Sequence, residues 1–250
     1  MQIIQSNLLK NFTSITHAFT SKNTGVSQAP YDSLNLAFHV GDNPNDVERN
    51  HELLAKELGY EKESLIHMTQ IHSDLVHIVN KYDYFLTPRK CDALVTNHID
   101  KPLMVMVADC SPILFYDDKQ KVIAVAHAGR AGAFKNIVKN VLGAMDYGFE
   151  SCIEDIYVSI GPSIGVCCYE VGKEIYDGAK EHGLEYAFEM RDNSYYLDVN
   201  KILKKQLLDS GIKEENLEIS NECTCCNNEK YFSYRADGVT GRFAGVIKLN

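Results

Sequence analysis

The chain has 250 residues, 45% of them hydrophobic, and a formal net charge of −9. This length and composition predict one large α/β domain or two small ones with a real core, and the acidic charge argues against general binding of nucleic acid or anionic membranes. The N-terminus lacks the features of a signal peptide, no apolar stretch reaches membrane-spanning length, and eight cysteines without a secretory signal indicate a reducing cytoplasm.

The N-terminal part of the sequence predicts short strands followed by one helix. Residues 3–19 favour one or two strands, and residues 20–27 form a polar loop. A helix is expected from Pro44 to about Leu58, because Gly59 is a typical helix stop. The loop before this helix can carry function, but on its own it is more simply a connection.

Three histidines recur every five residues in a segment that alternates like a strand, residues 64–79. This spacing puts His72 on the face opposite His67 and His77, so only one of the three is expected at any given site. A lone histidine in a strand is more often packed or surface-exposed than a ligand. Gln70 lies beside His72 and is a candidate to orient it by hydrogen bonding.

Two apolar runs are each followed by one reactive side chain. Residues 103–108 lead to Cys110, residues 122–126 lead to His127, and the polar residues 117–120 between them predict an antiparallel hairpin. A turn centred on that tetrad places the thiol directly opposite the imidazole, with Cβ atoms about 4.5–5.5 Å apart. This separation suits two ligands of one metal or a thiol and its base.

The hairpin is followed by a predicted amphipathic helix. Pro112 complicates the hairpin, because it requires an edge or a bulge there. Beyond His127, a Gly-containing turn with Arg130 leads into the helix, and the free N–H groups at the helix start could bind an anion. A simpler interpretation is that Gly129 and Gly132 only shape the turn. Apolar residues recur there at helical spacing and would form one face of the helix: Phe134, Ile137, Val138, Val141, Leu142 and Met145.

The C-terminal half continues with interleaved strands and helices. The predicted strands cover residues 153–160, 217–220 and 243–249, and the predicted helices run from about residue 171 to 181 and from 199 to 209. We find no repeats, low-complexity tracts or clear linkers. The sequence therefore predicts a single domain, residues 1–250, built on a mixed α/β sheet.

Four cysteines raise the question of a second metal site. Cys223 and Cys226 form a C-x-x-C pair, which with Cys167 and Cys168 would supply four thiolates. A second C-x-x-C pair is absent, and adjacent cysteines seldom bind one ion together without strain. The sequence therefore favours free, partly buried thiols.

Cys110 and His127 are compatible with two kinds of chemistry. One is a nucleophilic thiol activated by an imidazole, and the other is a metal site with His72 as the third ligand. Two histidines and a cysteine leave the fourth position of zinc open for water, which is the ligand chemistry of a hydrolytic or deaminating centre. Copper accepts the same ligands.

The sequence resembles the laccase-domain family over nearly its whole length. The similarity lies in short motifs that occur in the family order: Gly25-Val26-Ser27, Ser33-Leu34-Asn35-Leu36, Gly41-Asp42, Thr69-Gln70-Ile71-His72, Cys91-Asp92-Ala93-Leu94-Val95-Thr96, Ala108-Asp109-Cys110-Ser111-Pro112, His127-Ala128-Gly129, Gly161-Pro162-Ser163-Ile164, Tyr169-Glu170-Val171, Phe232-Ser233-Tyr234-Arg235 and Thr240-Gly241-Arg242. More than six motifs in register make coincidence unlikely.

The resemblance implies a fold and an activity. The family was first described as multicopper polyphenol oxidoreductases and is better described as purine nucleoside phosphorylases acting on adenosine, inosine, guanosine and methylthioadenosine. Some members also deaminate adenosine, and bacterial relatives are linked to peptidoglycan editing. The fold implied is a layered α/β sandwich related to a deamidating toxin, and the implied zinc ligands map to His72, Cys110 and His127.

Two departures from the family motifs bear on substrate binding. The family reads His-Ala-Gly-Trp-Arg-Gly, whereas this chain lacks the tryptophan and carries Arg130 one position early. Lys22 replaces an arginine that is usual before Gly-Val-Ser, and an ammonium loses the bidentate geometry of a guanidinium. We expect phosphate or ribose contacts at Lys22, Arg130, Arg235 and Arg242.

For adenosine deamination, a carboxylate has to move the proton, and Asp109 and Glu170 are the candidates. Asp109 is equally well explained as a residue that fixes the end of a strand. The sequence leaves the oligomeric state open.

Three alternatives remain beside the nucleoside phosphorylase. The first is a metal-free thiol hydrolase or amidase acting on a peptidoglycan precursor, with Cys110 as nucleophile and His127 as base. The second is a copper-dependent phenol oxidase, which nine scattered histidines do not favour. The third is a non-enzymatic scaffold in which zinc serves folding alone.

Overall fold

The computed structural model describes residues 2–250, in which strands and helices alternate along the chain. The strands are β1 (Ile3–Ile4), β2 (Ile15–Thr20), β3 (Met68–Thr69), β4 (Val76–Ile78), β5 (Arg89–Lys90), β6 (Ala93–Thr96), β7 (Leu103–Val107), β8 (Ser111–Asp117), β9 (Val122–Ala128), β10 (Ile156–Ile160), β11 (Glu170–Val171), β12 (Phe188–Arg191), β13 (Ser194–Leu197), β14 (Leu217–Ile219) and β15 (Phe243–Leu249). The α-helices are α1 (Pro44–Leu58), α2 (Arg130–Phe134), α3 (Ile137–Phe149), α4 (Lys173–Lys180), α5 (Val199–Asp209) and α6 (Tyr234–Asp237). Short 3-10 segments cover Leu9–Asn11, Phe38–Val40, Lys62–Ser64, Ile153–Asp155, Glu185–Ala187 and Glu214–Asn216.

The strands form two main sheets. The four-stranded sheet has the order β1-β2-β15-β7, and the six-stranded sheet has the order β14-β10-β8-β9-β6-β4. In the larger sheet, β10 with β14 and β4 with β6 are parallel, whereas the other neighbours are antiparallel. Two smaller sheets have the strand orders β11-β13-β12 and β3-β5. The predicted mixed sheet is therefore confirmed.

Apolar side chains stack these elements into layers. One face of the six-stranded sheet packs on α3 and α5, and its other face packs on the four-stranded sheet, whose outer face is covered by α1. Successive residues of β8 alternate between the two cores: Phe115 faces the helices, and Leu114 and Tyr116 face the second sheet. The order helix, sheet, sheet, helix confirms the predicted layered α/β sandwich, and burial of both sheet faces explains the continuous apolar runs of the central strands.

The β8–β9 hairpin forms, but its register differs from the predicted one. Asp117 pairs with Val122, so that the loop consists of residues 118–121. The Asp117 carboxylate accepts hydrogen bonds from the backbone N–H groups of Lys119 at 2.8 Å and Gln120 at 3.1 Å. Asp117 therefore begins the turn instead of lying in it, because its side chain caps the loop.

This shift changes the partner of His127. Pro112 lies opposite His127, and Cys110 precedes the first residue of β8. The predicted direct pairing of Cys110 with His127 is thus wrong. Pro112 needs neither an edge nor a bulge, because it lies beyond the last pair that β8 makes with β10, Ile113 with Ile160.

The strand predicted for residues 64–79 is interrupted. Only β3 and β4 form strands in this segment, and the chain bends between them where His72 has a φ of 57°. This left-handed conformation is incompatible with a strand, so the predicted alternation of faces does not apply. The other two histidines make hydrogen bonds away from His72: the His67 ring to the Phe85 carbonyl and the His77 ring to the Asp83 carboxylate.

The predicted helices are observed with one break. Helix α1 ends at Leu58 and is followed by Gly59 with a φ of 68°, as its sequence indicates. The apolar stripe predicted for one helix is divided between α2 and α3, because Asn136 adopts a φ of 59° and its side chain caps α3 by accepting from the Lys139 N–H group. In residues 2–250, no helix has both the length and the apolar character required to cross a bilayer.

Buried histidines in this core make stability depend on pH. The Nε2 atom of His17 accepts a 2.9 Å hydrogen bond from the Ser6 N–H group, and burial lowers the pKa of His17 from 6.5 to about 4. The unfolded chain therefore binds the proton more readily, and the stability that neutral His17 contributes is lost as the pH falls from about 6.5 towards 4.

We predict that the wild type loses about 2 kcal/mol more unfolding free energy than His17→Gln between about pH 7 and pH 5. Glutamine retains an acceptor for Ser6 but does not titrate in this range. Urea unfolding followed by circular dichroism measures both proteins at each pH. Equal losses in the two proteins would contradict the assignment of this pH dependence to His17.

Candidate active site and metal centre

The structure brings together the three residues predicted as metal ligands. His72 lies in the bend between β3 and β4, Cys110 precedes β8, and His127 is near the end of β9. Because β8 and β9 are antiparallel neighbours, the start of one meets the end of the other. One ligand atom from each residue lies within 4.8 Å of the others, and the two imidazoles meet nearly at a right angle, 79°, with centroids 4.8 Å apart.

Asp92, which sequence reasoning did not select, holds two of these ligands in place. Its fully buried carboxylate accepts hydrogen bonds from the N–H groups of Ile71, His72 and Ser73, from the Ser73 hydroxyl and, at 2.8 Å, from Nδ1 of His127. The bond to Nδ1 leaves Nε2 of His127 for the site. The sequence feature that could have identified Asp92 is its position as an acidic residue directly before the apolar strand β6.

Charge is concentrated at this centre. Burial alone would raise the pKa of the Cys110 thiol, but the neighbouring imidazoles of His127 and His72 outweigh it and lower the pKa to about 6. Burial would lower the pKa of His127, but the thiolate and the bond to Asp92 raise it to about 9. Burial would raise the pKa of Asp92, but hydrogen bonds from His127 and Ser73 lower it to about 2. These side chains therefore favour a thiolate at Cys110.

Gly129 is required by the close approach of the ligands. A Cβ atom at this position would lie 2.8 Å from Sγ of Cys110 and 3.4 Å from the ring of His72. Any side chain would therefore push the thiol or the imidazole out of place. This glycine is better explained by the ligand cluster than by the turn alone.

Asp109 is a positioning residue in this structure. Its carboxylate accepts hydrogen bonds from the hydroxyls of Thr224 and Ser233, each at 2.7 Å, and from the N–H group of Arg235, also at 2.7 Å. Its backbone has a φ of 85°, and its carbonyl accepts from the Ile164 N–H group. These contacts fix the residue before Cys110 and connect it to the C-terminal loops, so the structural role is favoured over proton transfer.

A pocket of about 460 Å³ opens beside the three ligands. Arg130, Arg235 and Arg242 all line it. The arginines that form ion pairs lie elsewhere, at Arg49, Arg89 and Arg191, and within residues 2–250 no carboxylate pairs with the three pocket guanidinium groups. Backbone carbonyls orient two of them: Arg235 donates to Cys168 and Glu170, and Arg242 donates to Thr240 and Gly241. The pocket is therefore suited to an anion.

The structure places Lys22, Glu170 and Gln70 differently from their predicted roles. Lys22 and Glu170 do not line the pocket. The ammonium group of Lys22 lies 6.0 Å from the ring centroid of Phe232, and the Glu170 side chain contacts the Tyr196 hydroxyl at 3.5 Å. Gln70 lines the pocket, but its amide binds the backbone N–H and carbonyl of Met106 instead of orienting His72.

The fold and the site define a class of protein: a layered α/β domain with a candidate metal centre of two histidines and one cysteine beside an arginine-lined pocket. The chain belongs to the family described as multi-copper polyphenol oxidoreductase laccase, whose model matches residues 16–250. This match confirms the family resemblance carried by the sequence motifs.

Similar proteins carry names of one enzyme activity. The chain is 32% identical to purine nucleoside phosphorylase YlmD of Bacillus subtilis (strain 168) over 253 residues, which cover 96% of this chain and 90% of that protein. It is 33% identical to purine nucleoside phosphorylase YfiH of Escherichia coli (strain K12) over 227 residues, 90% of each chain. These names support an enzyme of that kind.

Solved structures show the same fold. The crystal structure of YlmD from Geobacillus stearothermophilus matches with a TM-score of 0.89 at 30% identity and covers 96% of this chain and 93% of that one. Hypothetical protein YfiH of Bacillus licheniformis matches with a TM-score of 0.90 at 31% identity, over 94% and 93% of the two chains.

We predict that Asp92→Asn lowers the unfolding free energy by about 3 kcal/mol, because the amide nitrogen cannot replace the second carboxylate oxygen as an acceptor, and the fully buried side chain binds the N–H groups of residues 71–73 and the Ser73 hydroxyl. Urea unfolding in the presence of a chelator measures this effect apart from metal binding. The control is Asp100→Asn at an exposed position, for which we expect a change within about 0.5 kcal/mol. Equal stability of both variants would show that Asp92 does not hold the bend.

Proposed function

We propose that this chain is a zinc-dependent purine nucleoside phosphorylase acting on adenosine, inosine, guanosine and methylthioadenosine. The observation that carries the proposal is that His72, Cys110 and His127 share one pocket with three guanidinium groups, for which residues 2–250 provide no carboxylate partner. A metal ligand set and an anion site in one cavity suit a reaction between a nucleoside and phosphate. The names of the relatives support the same reaction.

The ligand set fits zinc. Two imidazole nitrogens and one thiolate are ligands that zinc accepts, and their spacing within 4.8 Å is compatible with Zn–N bonds of about 2.0–2.1 Å and a Zn–S bond of about 2.3 Å. When bound there, zinc supplies a Lewis acid with one coordination position open. Asp92 would orient His127 as a ligand through its Nδ1 bond.

The arginines are proposed to bind phosphate for attack on the ribose. In phosphorolysis, a phosphate oxygen forms a bond to C1′, the bond from C1′ to the purine nitrogen breaks, and its electron pair leaves with the purine. Arg130, Arg235 and Arg242 would hold the phosphate oxygens by charge-assisted hydrogen bonds. Tyr169 and Tyr234 line the same pocket and offer aromatic surface for the base.

Adenosine deamination is the weaker branch of the proposal. It needs a carboxylate that can exchange a proton with the substrate. Asp109 is the only carboxylate among the described residues that line the pocket, and it already accepts three hydrogen bonds. Inosine formed from adenosine without phosphate would support this branch.

We predict that chelation abolishes phosphorolysis, that zinc restores it, and that His72→Ala lowers kcat/KM by about 100-fold or more. Ribose 1-phosphate and free base are resolved by chromatography after incubation with each of the four nucleosides. His182→Ala, an exposed histidine outside the pocket, is the matched control and should retain full activity. Zinc-loaded protein that turns over none of these nucleosides would refute the proposal.

We predict that Arg235→Met raises the KM for phosphate by about 10-fold or more while changing the KM for the nucleoside much less, because a lost charge-assisted bond costs about 1.5–3 kcal/mol. Steady-state kinetics with phosphate as the varied substrate measures this. Lys22→Met, which removes a cation outside the pocket, is the control. A larger effect from Lys22→Met than from Arg235→Met would place the phosphate elsewhere.

One observation favours a second candidate function. Asp92 binds Nδ1 of His127, and a ring nitrogen of His127 lies within 4.8 Å of the Cys110 sulfur, which resembles the order of orienting acid, base and nucleophile in thiol hydrolases. Such an enzyme would cleave an amide of a peptidoglycan precursor without a metal. Activity on such an amide that survives chelation but is lost on alkylation of Cys110 would favour it over the phosphorylase.

Copper-dependent phenol oxidation has less support. Reduction of dioxygen in multicopper oxidases uses several coppers held mainly by histidines. Within residues 2–250, the ligand groups that could share an ion are the His72 cluster and a cluster of four cysteines, and neither contains three histidines. Phenol oxidation by the copper-loaded protein that is lost in His72→Ala would support a copper-dependent oxidase.

A further inference from the structure

Four cysteines from two distant segments meet outside the active site. Cys167 and Cys168 lie in the loop between β10 and β11, and Cys223 and Cys226 lie in the loop after β14. Their Sγ atoms all lie within 4.8 Å of one another. Sγ of Cys226 is 3.3 Å from that of Cys168 and 3.6 Å from that of Cys167.

These distances match a shared cation better than a disulfide. Zinc–thiolate bonds of about 2.3 Å in a tetrahedron place the sulfur atoms about 3.8 Å apart. A disulfide would require about 2.05 Å, and all four thiols are free in this structure. The strain expected for adjacent cysteines does not prevent convergence, because both Cys167 and Cys168 reach Cys226.

The backbone around the cluster is arranged for thiolates. The Gly165 N–H group donates to Sγ of Cys223 at 3.2 Å, which stabilises negative charge on the sulfur. The Cys223 carbonyl accepts from the N–H group of Asn227 at 3.1 Å and from its side chain at 2.8 Å, so the C-x-x-C segment is closed into a turn. A Cβ atom at Gly165 would lie 3.1 Å from Sγ of Cys167, so the glycine lets the loop approach the sulfurs.

The two loops are also joined by backbone hydrogen bonds. Ser163 and Cys223 form a parallel bridge, in which the Thr224 N–H group donates to the Ser163 carbonyl at 3.1 Å. This pairing brings the four thiols together from positions far apart in the sequence. The cluster is therefore a product of the fold and does not depend on flexible side chains alone.

We propose that Cys167, Cys168, Cys223 and Cys226 form a second, structural metal site that binds one Zn²⁺ through four thiolates. Each thiol loses its proton to solvent on binding, and four sulfur ligands leave no open position, so the site has no catalytic role of its own. This site is separate from the ligand cluster of the active site and does not depend on the proposed enzyme activity.

The second site would stabilise one wall of the pocket. The Cys168 carbonyl accepts from Arg235, and the next residue, Tyr169, lines the pocket with its ring 5.3 Å from that guanidinium. On the other loop, Thr224 follows Cys223 and donates to the carboxylate of Asp109. A cation that ties the loops would therefore restrict Arg235 and Asp109 without contacting substrate.

Metal content of purified protein tests the proposal. Protein expressed with added zinc and kept reduced is analysed by inductively coupled plasma mass spectrometry. We expect two zinc ions per wild-type chain, one in the double variant Cys168→Ser/Cys226→Ser, and one in His72→Ala. Cys152→Ser, an exposed cysteine outside the cluster, is the matched control and should keep two.

Cobalt provides a second measurement that needs no folded cluster variant. In cobalt-loaded His72→Ala, we expect the strong sulfur-to-cobalt charge-transfer absorption of a tetrahedral four-thiolate site, and Cys152→Ser added to this background should not change it. The proposal is overturned if the double variant binds as much zinc as the reduced wild type, if the cluster holds iron instead, or if only a disulfide is found there.

Discussion

One buried carboxylate organises the site. Asp92 is fully buried, and its oxygens satisfy three consecutive N–H groups in the bend around His72 together with Nδ1 of His127. These hydrogen bonds stabilise the bend in which His72 has a φ of 57°, and the one from the buried Ser73 N–H group would otherwise leave a donor unpaired away from water. The same carboxylate thus binds the backbone of one candidate ligand and the ring of another, so the convergence of His72 and His127 depends on it.

The layered fold explains why that carboxylate lies where it can act on both ligands. Asp92 immediately precedes β6, which pairs antiparallel with β9, and its own carbonyl accepts from the His127 N–H group at 2.8 Å. The start of β8 lies at the same edge and brings Cys110 there. From the second sheet, β7 and β15 add Val107 and Arg242 at their paired ends. The pocket is therefore formed where strand ends of two packed sheets meet.

The sequence was sufficient where local patterns determine structure and insufficient where tertiary contacts do. Helix α1 and the buried face of α5 follow from spacing and helix-end signals, and the motifs select three side chains that the fold brings together, His72, Cys110 and His127. The hairpin register was mispredicted because side-chain capping by Asp117 moves the turn. The bend at His72 could not be predicted from alternation, because its conformation is stabilised by a carboxylate twenty residues later in the chain. The roles of Asp92, Thr224 and Ser233 could not be predicted for the same reason, because their hydrogen-bond partners are remote in sequence.

The departure from the family motif acquires a physical meaning in this geometry. Arg130 occupies the position of the family tryptophan, begins α2 and lines the pocket together with Tyr169, whose ring lies 5.3 Å from the guanidinium of Arg235. The pocket wall thus presents a guanidinium group where the motif supplies an indole. Under the proposed reaction, binding energy shifts from stacking of the base towards attraction of the phosphate. Discrimination among purines then has to come from hydrogen bonds to the base edge, because a cationic wall does not distinguish one purine face from another.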